Sequence, residues 1–248
     1  MRLVLAFVLL LSGAAVQAAE IRVAVAANFL GTLQKLAPMY ERASGHRLVL
    51  SSGASGAFYA QIVNGAPFDV FLSADAARPE RLEKEGLAVE GTRFIYAYGV
   101  PVLWSPRAGF VDGEGKVLKD GRFRHIAIAD PAVAPYGVAA EEVLRALGVL
   151  EGLDAGRKVA RGKSIGQTYA HIATGAAELG IVALSQLQAE GGIPGSYWIP
   201  PKDAYTPIAQ AAVVLRRAGD IAAARDFLVW LRSDEARGVI RGDGYELD

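Results

Sequence analysis

Short apolar or β-branched runs alternate with helical patterns along most of the chain, and that alternation leaves few folds open. Residues 21–26 read as a strand. Residues 30–42 then place Leu30, Leu33, Leu36 and Met39 at helical spacing, with Gly45 as a stop. Strands over 48–50 and 69–72 and helices over 55–64 and 77–85 continue the series. It restarts with strands over 126–129, 158–160 and 179–182 and helices over 138–147 and 165–174. Strand-helix-strand units at this spacing build parallel sheets with right-handed crossovers. Two apolar stretches, 94–104 and 208–215, are too long for an ordinary strand and read as segments crossing between two lobes. The tail, 221–231 and 234–241, predicts two helices packing back on the first lobe, and the polar, Gly-rich segment 111–124 reads as surface loop. The expected fold class is therefore α/β, with two lobes of parallel-type sheets, helices on both faces and a ligand cleft between. Lobe I spans 19–98 and 208–248, and lobe II spans 99–207.

The N-terminus points to export. Arg2 precedes an apolar run over 3–11, too short to cross a bilayer, and Val16-Gln17-Ala18 fits a signal-peptidase site. A signal peptide over 1–18 is expected, by the general route because no twin-arginine pair is present. Lys plus Arg and Asp plus Glu both count 26, so no net field recruits nucleic acid. The chain has no cysteine and three histidines, which argues against disulfides, a lipid-anchored cysteine, or a structural zinc site.

The chemistry sits at the strand-to-helix turns: Ala26-Ala27-Asn28-Phe29, Gly53-Ala54-Ser55-Gly56, Asp130-Pro131 through Pro135-Tyr136-Gly137, and Gly162-Lys163-Ser164-Ile165-Gly166. Each joins small and polar residues where a helix starts. Small residues admit a ligand close to the backbone, and free N–H groups with the helix dipole favour an anion. Each turn also has an ordinary reading. Asn28 and Ser55 are favoured N-caps, Tyr136 suits a rim or core, and Gly162 to Gly166 suits a plain loop. Four such turns at the same end of two sheets favour an anion cradle. No Ser-His-Asp set, nucleophile elbow, Walker loop or metal-ligand spacing supports an enzyme.

The chain resembles the periplasmic molybdate-binding proteins of ABC-type uptake systems. The resemblance is carried by Val25-Ala26-Ala27-Asn28-Phe29, Ser52-Gly53-Ala54-Ser55-Gly56, and the run from Tyr59 through Gly65-Ala66-Pro67-Phe68-Asp69-Val70-Phe71-Leu72-Ser73-Ala74-Asp75. Ile128-Ala129-Asp130-Pro131, Ser164-Ile165-Gly166-Gln167-Thr168, and the run from Ala173 to Gln186 complete it. It implies the type II periplasmic-binding-protein fold and a dehydrated oxyanion held in the cleft by neutral donors. By motif these are the side chains and amides of Asn28 and Ser55 and the amides of Tyr136 and Ile165. No side chain ligates the metal, and no cofactor is implied. Some relatives carry Ser at Asn28, whose NH₂ can still donate. Some carry Tyr where this chain has Ala183, which leaves Tyr136 as the replacement donor. The resemblance further implies a diffusible periplasmic monomer that delivers molybdate or tungstate to a membrane permease. A dianion accepts hydrogen bonds only, so a site of donors suits it. Protonated phosphate would want a carboxylate, and Asp130, just before Pro131, reads as structural. Sulfate, of equal charge and shape, is the alternative oxyanion, and an enzyme on the same fold the more distant one.

Overall fold

In a computed structural model describing residues 18–188 and 192–248, two α/β sheets face each other across a cleft. The leader expected over 1–18 lies, except for Ala18, outside the described residues. The chain opens with β1 (Glu20–Ala26), α1 (Leu30–Ser44), β2 (Arg47–Gly53), α2 (Ser55–Val63), β3 (Val70–Leu72), α3 (Ala77–Lys84) and β4 (Phe94–Gly99). It passes through Val100 to β5 (Pro101–Ser105), then α4 (Val117–Asp120), β6 (Ile126–Ala129), α5 (Pro135–Ala146) and α6 (Leu150–Ala155). There follow β7 (Val159–Gly162), α7 (Ile165–Ala173), β8 (Leu179–Ala183) and β9 (Ser196–Trp198). The return brings β10 (Ile208–Val214), α8 (Ile221–Trp230) and α9 (Asp234–Gly242).

The first sheet runs β2-β1-β3-β10-β4 and the second β7-β6-β8-β5-β9. Each holds a parallel trio, β2-β1-β3 and β7-β6-β8. β10 is antiparallel to β3 and β4, and β5 is antiparallel to β8 and β9. The sheets are thus mixed, where the alternation predicts parallel ones. The reason is geometric. The parallel strands end at the cleft, so a strand that enters a sheet from the cleft runs the other way. Hydrophobic periodicity reports burial and carries no information on strand direction.

Alternate residues of each strand bury on opposite faces. Val23, Val25, Val70 and Leu72 pack on Leu33, Leu36, Phe227 and Ile240. Ala24, Phe71 and Val213 pack on Phe58, Ile62 and Leu82. In the second sheet, Ile126, Ile128 and Ile181 meet Val143 and Leu144, while Val102, Ala127 and Val182 meet Ile172. Segment 111–124, read above as surface loop, contributes buried Val111, Val117, Leu118 and Phe123 to the second core. Its apolar residues are sparse among glycines and charges, so no period announces them.

Asp69 ties the first sheet together. Its buried carboxylate accepts from the Arg22 amide at 2.6 Å, from Arg22 Nε and Nη2 at 3.0 Å each, and from the Gly219 amide at 2.8 Å. Burial alone would raise its pKa, but these donors hold it below the usual value. Between the sheets, alanines at 26, 74, 129, 134, 139 and 183 surround Tyr136, Ile165 and Ile208. Their small side chains let the two halves approach closely.

Candidate functional site

Four helices begin around one small cavity. It is lined by Ala26, Ala27 and Asn28 before α1, and by Gly53, Ala54 and Ser55 at the start of α2. Ala74 after β3, Ala134, Pro135 and Tyr136 at the start of α5, and Ile165 at the start of α7 complete it. The residues expected from sequence, Asn28, Ser55, Tyr136 and Ile165, are thus brought together, each no more than 4% exposed. Ser55, Tyr136 and Ile165 lie in first turns, where no preceding turn can accept from their amides. No other protein acceptor engages those amides among the described residues. The cavity measures about 10 Å³, room for about one water. Only a compact ligand can fit, and one of several heavy atoms must part the walls slightly.

No Lys, Arg, His, Asp or Glu lines the cavity. Its one titratable group is the Tyr136 phenol, which burial pushes well above the usual range and so keeps neutral. Lys163 is exposed and does not border the cavity. Asp130 accepts from the Ala132 amide at 3.0 Å and organises the turn before α5, in line with its structural reading. Among the described residues no cluster of acids and histidines could hold a metal, and no helix is long and apolar enough to cross a membrane.

Capping explains neither Asn28 nor Ser55. The caps of α1 and α2 are Phe29 and Ala54, without side-chain bonds. Ser55 Oγ instead accepts from the Ala74 amide at 2.9 Å, which leaves its proton free to be donated. Asn28 Nδ2 donates to Gln210 Oε1 at 2.7 Å and to the Tyr245 hydroxyl at 3.1 Å. The fourth turn is capped by Ser164, whose Oγ accepts from Gln167 N at 3.2 Å. Tyr136 is held hard against β6. A Cβ on Gly137 would overlap Ala129 O and stand 2.8 Å from Asp130 C, so only glycine admits this approach.

Several participants escape a local reading of the sequence. The Gly56 amide donates to Val133 O at 2.9 Å and Ser185 Oγ to Asn28 O at 3.0 Å, both across the cleft. Gln210 is fully buried within the apolar strand β10. A lone amide in such a run is the one signal that could have flagged it. The Tyr136 hydroxyl, expected to replace a donor missing at Ala183, instead faces Gly99 near Gln210.

A larger groove of about 300 Å³ runs beside the cavity, with Asp75, Arg78, Pro131, Glu142 and Pro207 among its walls. Its walls are mostly apolar, Arg78 is already paired with Asp75, and Glu142 adds a further negative charge, which makes it a poor site for a dianion.

A family model of the bacterial extracellular solute-binding proteins matches residues 21–246. The molybdate-binding protein ModA of Azotobacter vinelandii is 48% identical over 247 residues, 99% of this chain and 97% of that protein. ModA of Rhodobacter capsulatus is 47% identical over 228 residues, 92% of this chain and 88% of that protein. The solved A. vinelandii periplasmic molybdate-binding protein superposes with a TM-score of 0.90, covering 92% of this chain and 99% of that one. The Mycobacterium tuberculosis sulfate-binding protein SubI, at 17% identity and a TM-score of 0.75 over 92% of this chain and 86% of that one, shares the fold alone. The sheet orders, the cleft between them and these matches together show that the chain belongs to the bacterial extracellular solute-binding protein family.

Proposed function

We propose that this protein is exported, captures molybdate or tungstate in the cleft, and delivers it to the permease of an ABC transporter. The observation that carries the reading is the cavity itself: small, lined by no charged side chain, and framed by the N-termini of α1, α2, α5 and α7. Such a site offers donors and dipoles to a dianion and no carboxylate to a cation. The 48% identity to a molybdate-binding protein supports the choice of oxyanion. The donors are the side chains and amides of Asn28 and Ser55 and the amides of Tyr136 and Ile165. No catalytic group and no resident cofactor is part of this reading.

The lobes comprise 19–98 with 208–248, and 99–207. The signal peptide is removed after Ala18, and the mature protein acts in the periplasm as a monomer. A dianion touching both lobes draws them together, and the closed form signals a loaded site to the permease.

Calorimetry with molybdate, tungstate, sulfate and phosphate tests the reading. Molybdate and tungstate should bind alike, and phosphate weakly. At a hundredfold excess over Kd the ligand stabilises by about 2.7 kcal/mol, a melting shift of roughly 5–10 °C for a protein of this size. Tight phosphate or sulfate binding with molybdate silent refutes it.

A further inference from the structure

Three buried side-chain atoms make no hydrogen bond among the described residues: Asn28 Oδ1, Gln210 Nε2 and the Tyr136 hydroxyl. They share one neighbourhood. Gln210 Oε1 accepts from Asn28 Nδ2 at 2.7 Å. A Cβ on Gly99 would stand 3.2 Å from Gln210 Nε2 and overlap the Tyr136 hydroxyl. A buried polar atom without a partner is costly, so three together call for an explanation. Their chemistry is complementary: one acceptor, Asn28 Oδ1, and two donors, the Gln210 NH₂ and the Tyr136 hydroxyl.

Turning both amides by half a rotation exchanges oxygen and nitrogen without moving either chain. Gln210 Nε2 then donates to Asn28 Oδ1 across the same gap, and Gln210 Oε1 comes to the side where the Tyr136 hydroxyl lies. Tyr96, which already donates to Ser73 O at 3.1 Å, can accept from the turned Gln210. Tyr245 donates to Asn28 O at 2.7 Å, but Ser185 serves the same carbonyl, so the phenol is free to turn to Oδ1. Asn28 Nδ2 is left directed away from Gln210 and Tyr245. Asn28 borders the cavity while those two residues do not, so the relay requires the freed Nδ2 to face the cavity.

We infer that Gln210 is a positioning residue that turns the Asn28 amide into an obligate donor toward the bound oxyanion, and that the Tyr136 hydroxyl, arriving from α5 on the facing side of the cleft, orients Gln210. This rests on the oxyanion reading of the cavity. A free amide can present oxygen or nitrogen, and oxygen repels a dianion. Gln210 removes the choice, and the tyrosine makes that removal depend on the two sheets being in contact. The relay thereby links donor orientation to cleft closure.

Molybdate titration of the full mature protein tests this. Gln210→Leu should weaken binding roughly tenfold, the loss of about one charge-assisted bond. Gln210→Glu keeps the shape, but its carboxylate only accepts, holds the Asn28 NH₂ toward itself, and should lose more than Gln210→Leu. In an Asn28→Ser background, where a hydroxyl rotates freely to donate, Gln210→Leu should cost less than about twofold. Tyr136→Phe should weaken binding by roughly threefold or more, about half the effect of one such bond. Equal losses from Gln210→Leu in both backgrounds, or an equal or smaller loss from Gln210→Glu, overturn the relay. An unchanged Tyr136→Phe removes the tyrosine from it. Failure of the unaltered protein to bind molybdate strikes the oxyanion reading itself.

Discussion

Replacing Ser55 with alanine separates two duties of one hydroxyl. Ser55 is 1% exposed at the first position of α2, and its oxygen accepts from the Ala74 amide at 2.9 Å. Alanine leaves that buried N–H unpaired, a cost of about 1–3 kcal/mol. A gain in helix propensity of about 0.5 kcal/mol offsets part of it. The expected fall in melting temperature is roughly 1–10 °C, at about 2–4 °C per kcal/mol for a domain of this size. Had the side chain been a cap, the loss would have been about 1 kcal/mol and would have come from the helix itself. The second duty is donation of the hydroxyl proton to the anion. Losing a charge-assisted bond in a dry site costs about 1.5–3 kcal/mol, or roughly 10- to 150-fold in affinity. Circular-dichroism melts and molybdate calorimetry on the same protein read the two separately. Lower stability with unchanged affinity would show that Ser55 only supports Ala74 and that the donor assignment is wrong.

Other perturbations follow from the same geometry. A cavity without charged side chains should bind with modest salt dependence, and Lys163→Ala should change molybdate affinity less than about threefold, since an exposed charge is screened by water and salt; a loss of several orders of magnitude would reassign the donors. A Cβ at Gly56 would stand 3.0 Å from Val133 Cα and O and 3.1 Å from Arg78 Nη2. Gly56→Ala should therefore hold the halves apart, weaken molybdate at least roughly tenfold by loss of contact with one side, and leave a larger radius of gyration in ligand-saturated X-ray scattering than the unaltered protein shows. Burial would raise the Glu178 carboxyl, but the His125 amide and the Arg124 guanidinium outweigh it and hold the pKa at about 2 against an ordinary 4.5. A depressed folded-state pKa stabilises above the ordinary value, and that stability fades as pH falls from about 4.5 through about 2. Glu178→Gln should flatten acid destabilisation over that window, and an identical acid melting profile would show the pairing to be inconsequential.

Much of this protein was written locally. The starts of α1, α2, α5 and α7 are marked by turn residues beside apolar periods, because a helix terminus and a 3.6-residue stripe are short-range properties. The small and polar composition of those turns pointed to an anion cradle, and the family resemblance named Asn28, Ser55, Tyr136 and Ile165 within it. The two lobes followed from the alternation breaking at 94–104 and resuming at 126. Tertiary structure decided the rest. Whether β5 and β10 run parallel or antiparallel depends on which end of the sheet they enter, and no side-chain pattern encodes that. Ser55 looked like a cap and proved to hold Ala74, because β3 brings that amide to it from 19 residues away. Gln210 and Tyr245 reach Asn28 across 182 and 217 residues of chain. Pairings at such separations are made by the packing of the sheets and the tail helices, so they leave no trace in the spacing of neighbouring residues.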